Sequence, residues 1–400
     1  MQENSDFIPT VFARAIMLPM QTDQPKRRAG TFLLKRMAFI PLGIIAAIAT
    51  WYAQGNPAWA EWYAQTVYPG LSSVAGFLPS LVEFSVAEWF VGAFLLFCLG
   101  YVGYYVRTVI VSKGARGMAA YRGVMGALAI CCVMYFAFTA LCGLNYYRYT
   151  FASYTGYDLR QVDTTPEERQ QELVQLCTSL ASGLDETREQ LGPDTDLYNA
   201  ASGEFERYAQ QSVTALQTLA ERYPALERPL YSRPKPVLLS NLMSDANIAG
   251  IFFPFTVESN INVDGPFFTV PAVMTHELAH QCGFMREDEA DFISYLACTS
   301  TDDELMRYSG LLLAYDRSIS ALRKADPDAA AEIASGLSPS VRRDMAQRAV
   351  FWAQHEGAIS EASTAANDAY LKANRQSDGV QSYGRMVDLL LAEQRAEAGE

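Results

Sequence analysis

Three long apolar runs within the first 150 residues constrain the fold of this 400-residue chain more than any other feature. They cover residues 37–54, 86–106 and 124–144, and only the second contains a charge, that of Glu88. A helix needs about 20 apolar residues to cross the hydrocarbon core of a bilayer. Because three such runs rarely lie so close together in a water-soluble protein, we predict three transmembrane helices. A signal peptide is a poor alternative, since a polar tail of about 30 residues precedes the first run.

The basic residues of the short loops indicate how these helices are oriented. The basic residues of the N-terminal tail and of the loop between the second and third runs include Lys26, Arg27, Arg28, Lys35, Arg36, Arg107, Lys113, Arg116 and Arg122. The loop between the first and second runs, residues 55–85, holds none. By the positive-inside rule the N-terminus is cytoplasmic. We therefore predict a cytoplasmic tail (1–36), a membrane domain (37–148) and an extracytoplasmic domain (149–400), anchored in the cytoplasmic membrane.

Loop 55–85 is rich in aromatic residues, including Trp59, Trp62, Tyr63 and Tyr68. Such residues are typical of a belt at the membrane–water interface. The loop would also serve as a roof over a site below the soluble domain. The pattern leaves both interpretations open.

The two halves of the chain carry opposite net charges, +5 up to Arg148 and −18 beyond it. Nucleic acids are polyanions that bind basic surfaces, so the acidic second half argues against a nucleic-acid partner. The partner that the first half predicts is the lipid bilayer.

The second half combines helical and strand patterns. Thr165 and Glu168 form a capping box with a proline between them, followed by leucines at helical spacing. The predicted elements are helices over 166–191 and 205–223, a short strand over 237–239, a longer strand over 257–263, and helices from residue 271 to the end. The fold class is therefore mainly α with a small sheet.

Residues 276–280, His-Glu-Leu-Ala-His, form an HExxH motif on a helix that begins near Pro271. Side chains four residues apart lie on one face of a helix, so both imidazoles reach a single metal ion. Glu277 then points to the open coordination position, where a general base takes a proton from water. We predict one Zn²⁺ ion held by His276 and His280, with Glu277 as the catalytic base.

A zinc hydrolase needs a third protein ligand. Glu287 begins a new helix after Gly283 allows a sharp turn, and Asp291 follows one helical turn later on the same face. This spacing makes Glu287 the expected ligand and Asp291 the carboxylate that orients one histidine. Glu289 is the alternative ligand, because a sequence defines a helix boundary only to within a few residues.

The run from His276 to Phe292 resembles the gluzincin class of metallopeptidases, in which HExxH is followed by an ExxAD segment, as in integral-membrane peptidases. Residues 250–298, 367–372 and 378–383 are similar to an uncharacterised family of bacterial multipass membrane proteins assigned to that clan. The resemblance covers most of the chain and implies a zincin-like α+β domain that hydrolyses peptides. The gap of six residues between His280 and Glu287 is shorter than in better-known gluzincins.

The resemblance also implies that the strand before the metal helix is a peptide-binding edge. Residues 257–263 alternate between apolar and polar, so Glu258, Asn260 and Asn262 are candidates to meet a substrate backbone that adds as an extra strand. An ordinary edge strand with a solvated face has the same alternation. Both interpretations stay open at this point.

Tyr383, which follows Gly379, is the predicted catalytic donor to the developing oxyanion, and His355 is the alternative.

Three cysteines lie in the second half: Cys177, Cys282 and Cys298. An odd number excludes a full disulfide framework and leaves a single disulfide open. Cys282 lies off the ligand face of its helix, so we interpret it and Cys298 as packing residues.

Two functions from different classes fit these features. The first is a membrane-anchored zinc metalloendopeptidase that cleaves a peptide or protein substrate outside the cytoplasmic membrane. The second is a catalytically silent membrane protein whose zinc site presents a binding surface to an envelope partner. The intact Glu277 favours the first. An intramembrane protease is excluded, because the charged residues 286–289 follow the motif at once.

Overall fold

Helices dominate the chain, and one small sheet is the exception. The computed structural model describes residues 36–157, 165–199, 203–374 and 385–398. The first part contains helices α1 (Ile40–Gly55), α2 (Pro57–Trp62), α3 (Tyr68–Ser80), α4 (Val86–Val111) and α5 (Arg116–Leu141). The second part contains α6 (Ala152–Thr155), α7 (Pro166–Gln190), α8 (Glu204–Arg222), β1 (Lys235–Pro236), α9 (Ser240–Asp245), β2 (Gly250–Phe253), β3 (Glu258–Ile261), α10 (Val270–Gln281), α11 (Glu287–Thr299), α12 (Glu304–Ala325), α13 (Pro327–Gly336), α14 (Pro339–Gln354), α15 (Ala358–Ala373) and α16 (Met386–Ala398).

Helices α4 and α5 form a hairpin with an apolar, largely exposed surface. Each contains 26 residues and is long and apolar enough to cross a membrane, since such a helix measures about 39 Å. Helix α1 has 16 residues and measures about 24 Å, less than the thickness of a hydrocarbon core. Among the described residues, two helices meet the length requirement, so the prediction of three is wrong on this count. The predicted bounds also shift, because α4 continues to Val111 and α5 covers Arg116–Leu141.

Helix α1 lies alongside the hairpin and runs from its loop towards the second half of the chain. Near the start of α1, Arg36 donates hydrogen bonds to the hydroxyl of Tyr105 at 2.7 Å and to the carbonyl oxygen of Arg122. Near its end, Gln54 donates to the hydroxyl of Tyr147 at 3.3 Å. The basic loop of the hairpin and the second half of the chain thus lie at opposite ends of this bundle.

The two helices predicted after residue 165 are confirmed as α7 and α8. Glu168 N donates to Thr165 Oγ1 at 3.2 Å, and Thr165 N donates to Glu168 Oε2 at 2.7 Å, which completes the capping box. The leucines of α7 are buried in the main core. The short strand lies two residues earlier than predicted, at Lys235–Pro236 instead of 237–239.

The sheet has the order β1–β3–β2, with β1 parallel and β2 antiparallel to β3. Strand β3 is therefore the central strand, and all four of its residues are buried. The prediction that residues 257–263 form a peptide-binding edge is wrong. Glu258, Asn260 and Asn262 do not face a substrate or solvent, because each is buried and hydrogen-bonded within the protein.

Helix α3 packs against the second half of the chain. Tyr68 is fully buried, and its hydroxyl donates to the carbonyl oxygen of Gln281 at 3.1 Å. Lys235 Nζ donates to the carbonyl oxygen of Pro79 at 2.5 Å. The aromatic loop therefore supports both the sheet and the end of α10, the HExxH helix.

All seven cysteines lie among the described residues, and all are free thiols. Cys177, Cys282 and Cys298 are completely buried in the main core. The disulfide that the sequence left open is therefore not formed, and Cys282 and Cys298 pack as predicted.

Candidate metal centre

A tight turn after α10 brings the start of α11 back to the HExxH helix. Gly283 has a φ of +80°, a left-handed conformation that favours glycine. A Cβ atom at this position would lie 3.3 Å from side-chain atoms of Arg148, Arg228 and Tyr68. Both the conformation and the crowding require glycine here. The resulting turn places Glu287, in the first turn of α11, beside the HExxH helix.

Three side chains converge in the space that this turn creates. One nitrogen of His276, one nitrogen of His280 and one oxygen of Glu287 all lie within 4.8 Å of one another. Glu287 Oε2 is 3.2 Å from His276 Nε2 and 3.8 Å from His280 Nε2. Two imidazoles and one carboxylate are a donor set of catalytic zinc sites, in which the fourth position stays open. The fold thus brings the three predicted ligands together as a group that could hold a metal ion.

Both histidines are oriented by an acceptor at their other ring nitrogen. His280 Nδ1 lies 2.7 Å from the carbonyl oxygen of Phe284, and because a carbonyl only accepts, Nδ1 carries the proton. His276 Nδ1 lies 2.8 Å from Asp291 Oδ1, and Arg317 Nε donates to the second oxygen of Asp291 at 2.8 Å. Nε2 of each ring is therefore available to a metal, as in zinc sites whose histidines are held by outer hydrogen bonds. The donor set fits the metal on this ground.

The electrostatics of the cluster favour a bound cation. Burial by itself raises the pKa of Glu287, but hydrogen bonds with His276 and His280 outweigh it and hold the pKa well below its usual value. Burial lowers the pKa of His276, but hydrogen bonds with Asp291 and Glu287 raise it well above its usual value. The two carboxylates thus stabilise positive charge at the buried histidines, and a divalent metal ion supplies such charge.

Glu289, the alternative ligand, points away from the histidines. It is buried, and its Oε1 atom accepts a hydrogen bond from Arg286 Nη1 at 2.8 Å. The geometry therefore favours Glu287 and assigns Glu289 to an ion pair within α11 and its N-terminal flank.

Glu277 faces β2, the strand at the edge of the sheet next to α10. The backbone of Gly250 approaches so closely that a Cβ atom there would lie 2.6 Å from Glu277 Oε1 and 2.6 Å from Val273 Cγ1. Burial raises the pKa of Glu277 above its usual value. The two histidines and a hydrogen bond with the backbone of Phe252 act in the opposite direction but do not outweigh burial. The strand that lines the metal centre is β2, where the sequence predicted residues 257–263.

A cleft of about 920 Å³ opens over the metal centre. It is lined by the metal-binding group, by Glu277, by β2 and the turn after it, and by parts of α5, α12 and α15. Among the described residues that line it, none comes from loop 55–85. The loop therefore does not form the roof that the sequence left open.

Neither of the two predicted oxyanion donors, Tyr383 and His355, is among the described residues that line the cleft. Tyr383 lies outside the described residues. His355 Nδ1 lies 2.7 Å from Asp245 Oδ1, and His355 does not line the cleft. Tyr146 and Tyr370 do line it, with their hydroxyl oxygens 3.1 Å apart.

Sequence reasoning missed both tyrosines, although a signal for one was present. Tyr370 lies in the run 367–372, which carries part of the family resemblance. Tyr146 follows the third apolar run and has no motif of its own. Burial raises the pKa of Tyr370, so its hydroxyl keeps its proton and is able to donate a hydrogen bond.

Comparisons with known proteins identify a family but assign it no function. Neither the curated proteins nor the solved structures contain a match to this chain. The sequence model of one family, described as a protein of unknown function (DUF3810), matches residues 63–391. That match includes the hairpin of α4 and α5, the sheet and the three residues that could hold a metal ion. The chain therefore belongs to the DUF3810 family.

Proposed function

We propose that this chain is a membrane-anchored zinc-dependent peptidase that hydrolyses peptide bonds outside the cytoplasmic membrane, with Glu277 as the general base. The observation that carries the proposal is the convergence of His276, His280 and Glu287 beside Glu277 and the outer edge of β2. A carboxylate next to a metal-binding group, within a cleft and beside a strand edge, is the arrangement that peptide hydrolysis needs.

The hairpin supports the membrane part of the proposal. Most of its large apolar side chains are exposed, a surface that lipid solvates better than water does. Arg107, Lys113, Arg116 and Arg122 lie at its loop end, and the metal centre lies at the other end. By the positive-inside rule the loop is cytoplasmic and the metal centre extracytoplasmic. This orientation needs only the two long helices, and Arg36 at the start of α1 lies at the same basic end.

The proposed mechanism assigns roles to the side chains of the cleft. The chemistry that a zinc ion supplies at such a donor set is acidification of a water molecule and polarisation of the scissile carbonyl. Glu277 accepts the proton of that water and returns it to the leaving amine. Tyr370, whose hydroxyl accepts a hydrogen bond from Tyr146, donates one to the oxyanion that develops on the substrate carbonyl. The outer edge of β2 binds the substrate as an added strand through main-chain hydrogen bonds.

Replacement of Glu277 by Gln tests the proposal. Gln keeps the shape of the side chain but does not accept a proton at neutral pH. We expect the Glu277→Gln protein to keep one zinc ion per chain and its thermal stability, while turnover of a peptide library falls at least about a hundredfold. Metal analysis and mass spectrometry of the digested library, with and without chelator, measure both quantities. Glu356→Gln, an exposed position outside the cleft, is the matched control and should keep full turnover.

Two other outcomes separate the alternatives. Unchanged turnover in Glu277→Gln would remove Glu277 as the base. A parent protein that binds zinc and hydrolyses no peptide in the library would favour the silent protein that presents a binding surface to an envelope partner.

A further inference from the structure

The cleft over the metal centre begins at the end of the membrane hairpin. We propose that it takes the membrane-proximal segment of a polypeptide anchored in the same bilayer, so that cleavage occurs within a few residues of the membrane surface. This inference rests on the proposed peptidase function and names the class of its substrate. Three features of the molecule support it: the walls of the cleft, the length of the hairpin and the apolar side chains beside the hairpin.

Both walls of the cleft rest on the hairpin. On one side, Phe253 and Phe255 line the cleft, and their rings pack on Phe90 of α4 with centroids 5.6 and 6.0 Å away. On the other side, Phe138 of α5 lines the cleft and packs on Tyr370, with the two ring centroids 6.3 Å apart. Phe90 lies four residues after the start of α4, and Phe138 lies three residues before the end of α5. These positions are only about 6 and 5 Å along the helix axes from the helix ends.

The length of the hairpin sets the height of the cleft above the bilayer. Helices of 26 residues measure about 39 Å, close to the roughly 40–45 Å of a bilayer with its headgroups. The ends of α4 and α5 therefore lie in the headgroup layer. Because the walls of the cleft start within two turns of these ends, the cleft opens at the membrane surface.

Exposed apolar side chains next to the start of α4 support the same height. We call them the apolar collar: Phe77, Leu78, Leu81, Phe84, Leu238 and Leu242, which are between 55% and 82% exposed. The carboxylate of Glu88, in the first turn of α4, accepts hydrogen bonds from Leu238 N at 2.9 Å and Leu239 N at 3.0 Å. The collar thus lies at the level where α4 begins. Apolar side chains at this level are stabilised by the boundary between headgroups and acyl chains.

Buried polar contacts hold the part of the chain after Arg148, which contains the metal centre and which we call the metal domain, at this height. Glu258 accepts hydrogen bonds from Val86 N at 3.0 Å and Ala87 N at 2.8 Å, and it pairs with Lys235 at 2.6 Å. Ser85 Oγ donates to Asn260 Oδ1 at 2.6 Å. The central strand of the sheet is therefore bonded directly to the first turn of α4. A cleft fixed in this way meets an anchored chain at high effective concentration.

The first experiment maps cleavage against distance from the membrane. The full chain, loaded with zinc, is reconstituted into vesicles of phosphatidylethanolamine and phosphatidylglycerol. The substrate is one transmembrane segment followed by several copies of the same short randomised sequence. We expect the copy nearest the membrane to be cleaved at least about tenfold more than the farthest copy, and Glu277→Gln to leave all copies intact. Equal cleavage of every copy would overturn the inference and keep the peptidase, whereas no cleavage at all would overturn both.

The second experiment does not depend on activity. A photo-crosslinking amino acid replaces Leu78 or Leu242 of the collar, and Val350 serves as the control because it is 56% exposed and lies on α14, a helix that packs against α7. We expect lipid adducts at Leu78 and Leu242 and only background at Val350. Adducts at background level at both collar positions would overturn the proposed height of the cleft, whatever the protein cleaves.

Discussion

The metal centre and the junction between hairpin and metal domain are built from contacts of opposite range. His276, His280 and Glu287 lie within twelve residues of one another, and a single glycine turn brings them together. At the junction, Glu258 bonds Val86 N and Ala87 N, which lie more than 170 residues earlier in the chain. The difference indicates that the candidate metal site is assembled by local contacts, while long-range contacts decide where it is presented. Substitutions at the local site should change metal binding or turnover, and substitutions at long-range contacts should change the free energy of unfolding.

The largest change in metal binding is expected from the proposed third ligand. Glu287→Gln removes a carboxylate donor that lies 3.2 Å from His276 Nε2, so zinc affinity should fall by about a hundredfold or more, beyond the loss for an outer-shell partner. Glu289→Gln, two residues later, is the matched control and should keep zinc, because Glu289 pairs with Arg286. Competition with a chromogenic chelator measures both affinities. A larger loss in Glu289→Gln would mean that the turn after α10 positions the other carboxylate.

The junction should respond in stability and leave zinc binding intact. Glu258→Gln leaves the buried ammonium of Lys235 without its carboxylate, and breaking a buried ion pair costs about 3–5 kcal/mol. We expect a lower free energy of unfolding in detergent, with zinc stoichiometry unchanged below the transition. Asp368→Asn removes one partner of a surface pair with Lys372 and should cost less than about 1 kcal/mol. Equal effects of the two changes would show that the junction contributes no more than a surface contact.

Gly250→Ala tests the contact between β2 and Glu277, the proposed catalytic base. The added Cβ atom would lie 2.6 Å from Glu277 Oε1, so either the strand or the carboxylate must shift. Misplacement of a catalytic group by about 1 Å lowers turnover by up to roughly a hundredfold, and zinc content should not change. Gly336→Ala, where nothing lies within 4 Å of the added atom, is the control. Parent-like peptide turnover in Gly250→Ala would mean that β2 is not held against Glu277.

The smallest effect concerns Glu393 of α16, a half-buried carboxylate. Burial and the neighbouring Glu397 raise the pKa of Glu393 to about 7, with Arg222 acting in the opposite direction. The pKa of an unfolded glutamate is about 4.3, so the native state loses stability as the pH rises from about 4 to 7. Glu393→Gln removes this loss. At pH 8 the variant should be more stable than the parent by about 1–2 kcal/mol, and at pH 4 the two should be equal.

Denaturant unfolding at several pH values measures the difference. A difference that is independent of pH would mean that Glu393 titrates normally in the folded protein.

Features whose cause lies within a few helical turns could be predicted from the sequence alone. The capping box of α7, the HExxH face and the glycine turn before Glu287 depend on side chains close to one another in the chain, so spacing was sufficient. The long apolar helices were also recognisable, because bilayer thickness sets a simple length requirement. That requirement is also the reason why α1, with 16 residues, does not qualify.

The order of the strands, by contrast, was decided by the tertiary structure. An alternating run looks the same whether its polar side chains face water or buried partners, and only the pairing with β1 and β2 identified β3 as central. The position of Tyr370 beside Tyr146 depends on a contact between residues 224 positions apart. Such contacts result from the packing of whole elements, and no local pattern of the chain encodes the partner at the other end.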